Sequence, residues 1–257
     1  MTMGKVYLVG AGCGKADLIT ARGLRLLQRC GAVVYDDLID KTLLDEAPAE
    51  AERIYMGKRA GRHSAGQQEI NERLTGLARQ GKMVVRLKGG APYIFGRGGE
   101  EMQALLEADV PCEMVPGISS ALGIPAQAGI PVTCRGVSRS VHIIVGHTAD
   151  TPDGLPALEQ LAGLEGTLVF LMGLGRLTEI AARLIGAGMP PETPAAVLAG
   201  GSAPAQITVR GTLNDIARKT AAAVVPPPAV IVVGAAAALE LTVPPCGAQD
   251  HAAVKEP

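Results

Sequence analysis

The feature that most constrains this chain is an alternation: a short apolar, β-branched run, then a stretch long enough for a helix. The runs are "KVYLVGAG", "AVVYDDL", "ERIYMG", "MVVRLKGG" and "CEMVPG" in the first half, then "SVHIIVGH", "TLVFLMG", "PAAVLAGG" and "PAVIVVG" in the second. Buried parallel strands read as continuous Val/Ile/Leu runs, and strand-helix alternation covers both faces of a sheet with helices. The intervening stretches agree. "ADLITARGLRLLQRC" sets Leu18, Leu24, Leu26 and Leu27 against basic residues, and "GEEMQALLEADV" opens with acids that suit the positive end of a helix dipole. "SAPAQITVRGTLNDIARKT" reads as an extended piece followed by a helix. The segment "GIPVTCRGVSRS" carries Gly, Pro and Ser ahead of a fresh strand, which places a boundary near Val132 to Ser138. The expectation is therefore α/β: two α/β domains, residues 1–134 and 135–243, with mainly parallel or mixed sheets flanking a central cleft. Residues 244–257 show no periodicity and are expected to be a flexible tail.

Composition narrows the partners. A net charge of −1 with no strongly basic segment leaves no electrostatic footprint for nucleic acid. No apolar run reaches the roughly 18 residues that span a bilayer, so no membrane partner is expected and a cytoplasmic location is. The five cysteines are scattered without CxxC spacing and the four histidines form no cluster, which argues against a metal site and a disulfide framework. Aromatics make up only 2% of the chain, so the core must be aliphatic and the few aromatics are informative.

Two of them stand in "VRLKGGAPYIFGRGGEEM", where Gly89 and Gly90 let backbone approach a ligand without an intervening Cβ. An earlier stretch, "VYLVGAGCGKADLI" followed by "VVYDD", imitates a dinucleotide fingerprint. Gly10 and Gly12 fit the first and third positions, but the sixth is Lys15, so a nicotinamide site is not supported.

Four segments together, "VYLVGAGCGKADLIT", "YMGKRAGRHSAGQQEIN", "VRLKGGAPYIFGRGGEE" and "VPGISSALGIPAQAGIPVTCRG", resemble the tetrapyrrole (corrin and porphyrin) methylases, in family order. The resemblance implies a homodimer, S-adenosylmethionine as methyl donor (leaving S-adenosylhomocysteine), and a tetrapyrrole substrate. Within the family it points to methylation of two pyrrole carbons of uroporphyrinogen III, giving precorrin-2 on the way to sirohaem and cobalamin. A later corrin-pathway methylase, or a non-catalytic tetrapyrrole- or S-adenosylhomocysteine-binding homologue, is the alternative. By the same resemblance Asp36 matches a proton acceptor, although an acid in "YDDLID" also suits a helix cap, and Lys58 matches a proton donor or substrate-binding position. Donor contacts are implied for Cys13, Gly89, Gly90, Ala91, Ile94, Ser119, Ser120, Met172, Gly201 and Ala229. Read without the family, Ser119 and Ser120 are also helix N-caps and Met172 is core filling. Arg59, Arg62 and His63 form with Lys58 either a solvated face or a clamp on the acidic rim of the substrate, and Arg97 is a further substrate candidate.

Several loop positions depart from the family pattern. Cys13 and Lys15 stand where the family has Pro and Asp, Ala91 stands where it has an acid, and Cys134 replaces a histidine. The Lys15 and Ala91 changes make the loops more positive, which weakens attraction for a cationic donor and strengthens it for a polyanionic substrate.

Overall fold

The computed structural model describes residues 2–57, 66–147, 157–201 and 206–241. The chain forms two compact units. The first runs up to Gly123, with Gly200 and Gly201 grouped with it; the second runs from Ile124 to Ala199 and resumes at Gln206.

The first unit contains β1 (Val6–Gly10), α1 (Ala21–Leu27), β2 (Ala32–Tyr35), β3 (Glu52–Tyr55), α2 (Gln67–Arg79), β4 (Val84–Lys88), α3 (Gly98–Glu107) and β5 (Cys112–Val115), and its boundary falls inside α4 (Ser120–Gln127). Its strands form one wholly parallel sheet in the order β3-β2-β4-β1-β5. Val9, Val33, Val85, Leu87 and Val115 face one core, with Leu27 of α1. Val6, Leu8, Ala32, Val34 and Val84 face the other, with the α2 stripe Ile70, Leu74, Leu77 and Ala78 and with Leu105 of α3. That stripe has the spacing of an amphipathic helix, and burying Leu74 or Leu77 contributes about 2 kcal/mol each. The stretch from Ala16 to Cys30 is not one helix. Ile19 and Thr20 are extended, and Thr20 restarts the helix by accepting a hydrogen bond from Gly23 N at 3.2 Å. The chain travels from β1 outward to β2 and β3, then returns through β4 to β5, so the loops leaving the neighbours β1 and β4 depart in opposite directions. In open parallel sheets, ligands bind outside the carboxyl ends at such a reversal.

The second unit contains β6 (Val141–Val145), α5 (Leu158–Leu161), β7 (Thr167–Leu171), α6 (Leu177–Gly186), β8 (Pro194–Ala199), β9 (Ile207–Thr212), α7 (Ile216–Ala222) and β10 (Ala229–Val233). The strand order is β6-β7-β10-β8-β9, and only β6 and β7 run parallel. Only seven residues separate β8 from β9, too few for a parallel crossover of about a dozen, so this pair is antiparallel. Phe170 on β7 is fully buried at the centre of this core with Ile180, Leu184, Val197 and Ile231. The chain's other phenylalanine, Phe95, is exposed.

Candidate active site

The carboxyl ends of the first unit's parallel strands carry half of the residues singled out in the sequence: Cys13 beyond β1, Asp36 beyond β2, Gly89, Gly90, Ala91 and Ile94 beyond β4, Ser119 and Ser120 beyond β5. Three of these loops are in direct backbone contact. Gly90 N donates to Gly12 O at 2.7 Å, and Gly12 N donates to Gly90 O at 3.3 Å. A Cβ on Gly10 would stand 2.5 Å from Gly117 N and 2.7 Å from Gly90 O, so no side chain fits where the loops cross. Gly89 has the same cause: its Cβ would stand 2.6 Å from Leu38 Cβ, in the loop after β2. The free face of Gly89 is therefore filled by protein. Gly90 differs, since its Cβ would meet only Ser120 N, at 3.7 Å, and its φ of +68° is the reason for glycine there.

Around this junction, Cys13 is buried against Gly123, and burial pushes its thiol up from the ordinary value. Ser119 Oγ accepts from Ala121 N at 3.3 Å and caps α4, so the capping reading holds for this serine. Beyond Ala91, Tyr93, Ile94 and Phe95 are 49%, 38% and 44% exposed, three adjacent large apolar groups in an aromatic-poor chain. Phe95 and Arg97 both have positive φ, 50° and 57°, a conformation that costs a non-glycine residue of order 1 kcal/mol each. Arg97 is held bidentately by Glu100, with Nε to Oε1 at 2.8 Å and Nη2 to Oε2 at 2.6 Å; the hydrogen bond raises the Arg97 pKa and lowers that of Glu100.

The sequence reading missed a buried ionic network on β4. Arg86 is 3% exposed, Lys88 5% and Glu101 of α3 0%. Glu101 Oε1 accepts from Lys88 Nζ at 2.8 Å, and Arg86 Nε and Gln67 Nε2 each stand 3.4 Å from it. Arg86 Nη2 donates to Asp36 Oδ2 at 3.0 Å, while Asp36 Oδ1 accepts from Leu38 N at 3.1 Å. Burial, reinforced by the Arg86 charge and opposed by Glu101 and Asp36, holds the Lys88 ammonium below its ordinary value. The signal was present in the sequence: "VVRLK" puts two cations in a strand that a parallel sheet buries on both faces, and buried charges require partners.

In the second unit, Met172 follows β7 with a φ of 58° and is 56% exposed, so it is not core filling. Ala229 opens β10 and pairs with Ala199 at the end of β8; Gly200 and Gly201 follow, with φ of 85° and 58°. The turn at Cys134 to Ser138 is closed by a backbone bridge and by Ser138 Oγ against Thr167 Oγ1 at 2.8 Å. An open cavity of about 600 Å³ beside it is lined by Thr133, Cys134, Arg135, Ser138 and Arg139, and neither arginine makes an ion pair among the described residues. Lys58, Arg59, Arg62 and His63 lie outside the described residues. No group of His, Cys, Asp or Glu among the described residues is arranged to hold a metal. No described helix is long and apolar enough to cross a membrane.

Residues 5–217 match the family model of the tetrapyrrole (corrin/porphyrin) methylases. The chain belongs to the tetrapyrrole methylase family. Among curated members it is 49% identical over 216 residues to the S-adenosyl-L-methionine-dependent uroporphyrinogen III methyltransferase of Methanosarcina barkeri, covering 83% of this chain and 84% of that protein. It is 48% identical to siroheme synthase 1 of Halorhodospira halophila over 84% of this chain but 44% of that one, so this methylase chain spans just under half the length of the siroheme synthases it matches. Among solved structures, the uroporphyrin-III C-methyl transferase of Thermus thermophilus complexed with S-adenosyl homocysteine aligns with a TM-score of 0.77 and 38% identity, covering 91% of this chain and 93% of that one. The expected α/β architecture, with one parallel and one mixed sheet, is that of the tetrapyrrole methylases.

Proposed function

We propose that this chain catalyses S-adenosylmethionine-dependent C-methylation of uroporphyrinogen III at two pyrrole carbons, giving precorrin-2. One observation carries the chemistry. Asp36 stands at the carboxyl edge of a parallel sheet, on the same edge as the joined glycine loops, with both carboxylate oxygens fixed and its side chain 24% exposed. The donor supplies an activated methyl on a cationic sulfur; the attacking pyrrole carbon must then lose a proton. Asp36 is suited to take it, as a carboxylate already oriented by Arg86 and Leu38 N.

The fit to the donor rests on the first unit's loops. The open face of Gly90, the backbone of Ala91 and the exposed side chain of Ile94 are the groups we assign to it, with Cys13, Ser119 and Ser120 beside them. Gly89 contributes by letting the loop after β2 close on the loop after β4. Met172, Gly201 and Ala229 are assigned to the donor on their family positions. For the polyacidic substrate, Lys58, Arg59, Arg62, His63 and Arg97 are assigned to its carboxylates, and Arg135 and Arg139, which make no ion pair among the described residues, have the matching charge. Action as a homodimer in the cytoplasm belongs to the same proposal.

The test is incubation with methyl-labelled S-adenosylmethionine and freshly prepared uroporphyrinogen III. Two labelled methyl groups per tetrapyrrole, read by mass spectrometry, are expected. Binding of S-adenosylhomocysteine without any transfer would assign a non-catalytic role, and transfer only to a later corrin substrate would move the chain to a sibling reaction.

A further inference from the structure

We infer that Arg86 is a positioning residue for the reaction: it acts through Asp36 by fixing the direction in which that carboxylate faces the substrate. The inference rests on the reading of Asp36 given above. Arg86 sits in the middle of β4, in register with Val34 of β2 and Leu8 of β1, so its Cα is held by ladders on both sides. Its guanidinium is 3% exposed, and every nitrogen is committed. Nε is directed at Glu101 Oε1 at 3.4 Å, Nη1 donates to Leu87 O at 3.2 Å and is 3.5 Å from Val34 O, and Nη2 donates to Asp36 Oδ2 at 3.0 Å.

A planar group anchored through two of its nitrogens is a rigid reference point, and the third makes the only charged contact to Asp36 among the described residues. Asp36 itself lies just past the end of β2, where backbone pairing no longer restrains it. Without Arg86, Leu38 N alone would hold one oxygen through a bond within the same loop. Glu101 completes the device. It carries Arg86 and Lys88 on one oxygen, and its Oε2 has no hydrogen-bond partner among the described residues. This carboxylate, at 0% exposure, meets Arg86, Lys88 and the amide of the half-buried Gln67, and serves to hold the cations of β4 in place.

The experiment compares Arg86→Lys and Arg86→Met with Asp36→Asn in the full chain, using steady-state methyl transfer and crystal structures of the variants. Lysine keeps the charge that Glu101 requires but loses the fork, so it separates positioning from neutralisation. The expected result for Arg86→Lys is a fall in kcat of about tenfold to a hundredfold, the size of effect that a misplacement of about 1 Å produces, with KM for both substrates within about twofold. The Asp36 carboxylate is expected to leave its wild-type position in both Arg86 variants. An Asp36 side chain that stays in place in the Arg86→Met structure would overturn the inference, and so would a full wild-type kcat in Arg86→Lys. Failure of the underlying reading looks different: Asp36→Asn would then keep wild-type kcat, whatever the Arg86 variants do to the position of the carboxylate.

Discussion

Gly10→Ala isolates the packing of the three loops from every other property of the site. Gly10 ends β1 and has no positive φ, so alanine carries no backbone penalty there and any effect is steric. Its Cβ would lie 2.5 Å from Gly117 N, 2.6 Å from Gly117 Cα and 2.7 Å from Gly90 O, where real Cβ contacts stay beyond 3.0 Å. All three are backbone atoms, so no side chain can rotate away. The loops after β4 and β5 must retreat, stretching the Gly12–Gly90 pair of hydrogen bonds. Overpacking of this kind costs about 1–3 kcal/mol, and three rigid contacts place Gly10→Ala at about 3. For a cooperative unit between the small and mid-sized domain classes, about 4 °C of midpoint is lost per kcal/mol, so Tm should fall by about 12 °C. Because Gly90 moves with its loop, the affinity for S-adenosylhomocysteine measured by calorimetry should fall as well. A midpoint within about 2 °C of wild type, together with unchanged affinity, would refute the claim that these loops are packed backbone to backbone.

A matched control is Gly76→Ala, in the interior of α2 with nothing within 4 Å of its Cβ position, which should stabilise the protein by about 0.5–1 kcal/mol in urea titrations. Asp40 caps the 3₁₀ turn after β2, accepting from the Thr42 hydroxyl and amide and from Ala16 N, and these bonds hold its carboxyl below the ordinary 3.8. Asp40→Ala should cost about 1 kcal/mol at neutral pH. Since the folded value is depressed, that contribution is complete above about pH 4 and is lost as pH falls through the folded value, so urea midpoints of wild type and variant should converge in acid. Ala91→Asp returns a negative charge to the loop after β4 and should tighten S-adenosylmethionine by about fivefold, roughly 1 kcal/mol, because a charge pair near a protein surface is worth that much or more. The uncharged sulfur of S-adenosylhomocysteine should gain less, and equal tightening of both would rule out the charge effect.

The strands were legible because each is a short apolar run with a turn after it, and the parallel pairing of the first unit followed from the helices between them. The family resemblance located the residues at the carboxyl edge. What was illegible was tertiary. Gly89 and Gly90 are adjacent and identical, yet one meets Leu38 and the other is open, and no local pattern distinguishes them. The break at Ile19 and Thr20 lies inside a periodic apolar stretch and is set by a single threonine cap. The mixed sheet of the second unit depends on where β10 inserts, between β7 and β8, which is a long-range pairing choice. Glu101 in "GGEEM" read as an acid for the helix dipole, and its neighbour Glu100 does lie exposed on the first turn. Glu101 itself turns inward one helical step later, and only the packing of α3 on the sheet puts it against Arg86 and Lys88.

That network bears on the proton-acceptor role proposed for Asp36. Arg86 and Lys88 supply two positive charges, Glu101 and Asp36 two negative ones, so the group is neutral when all four are ionised. Three of the four are almost entirely removed from solvent. If Asp36 accepts a proton from the methylated pyrrole, the group is left with an uncompensated positive charge in a region where burial already holds the Lys88 ammonium below its ordinary value. Uncompensated buried charge is expensive, and the partly exposed side of Asp36 gives the accepted proton a way out to solvent. The two methylations per tetrapyrrole proposed above would require the base to be regenerated between them. A carboxylate tied to a buried, charge-balanced anchor and open to water on one side meets that requirement, whereas a fully buried one would trap the proton and a fully exposed one would lose its direction.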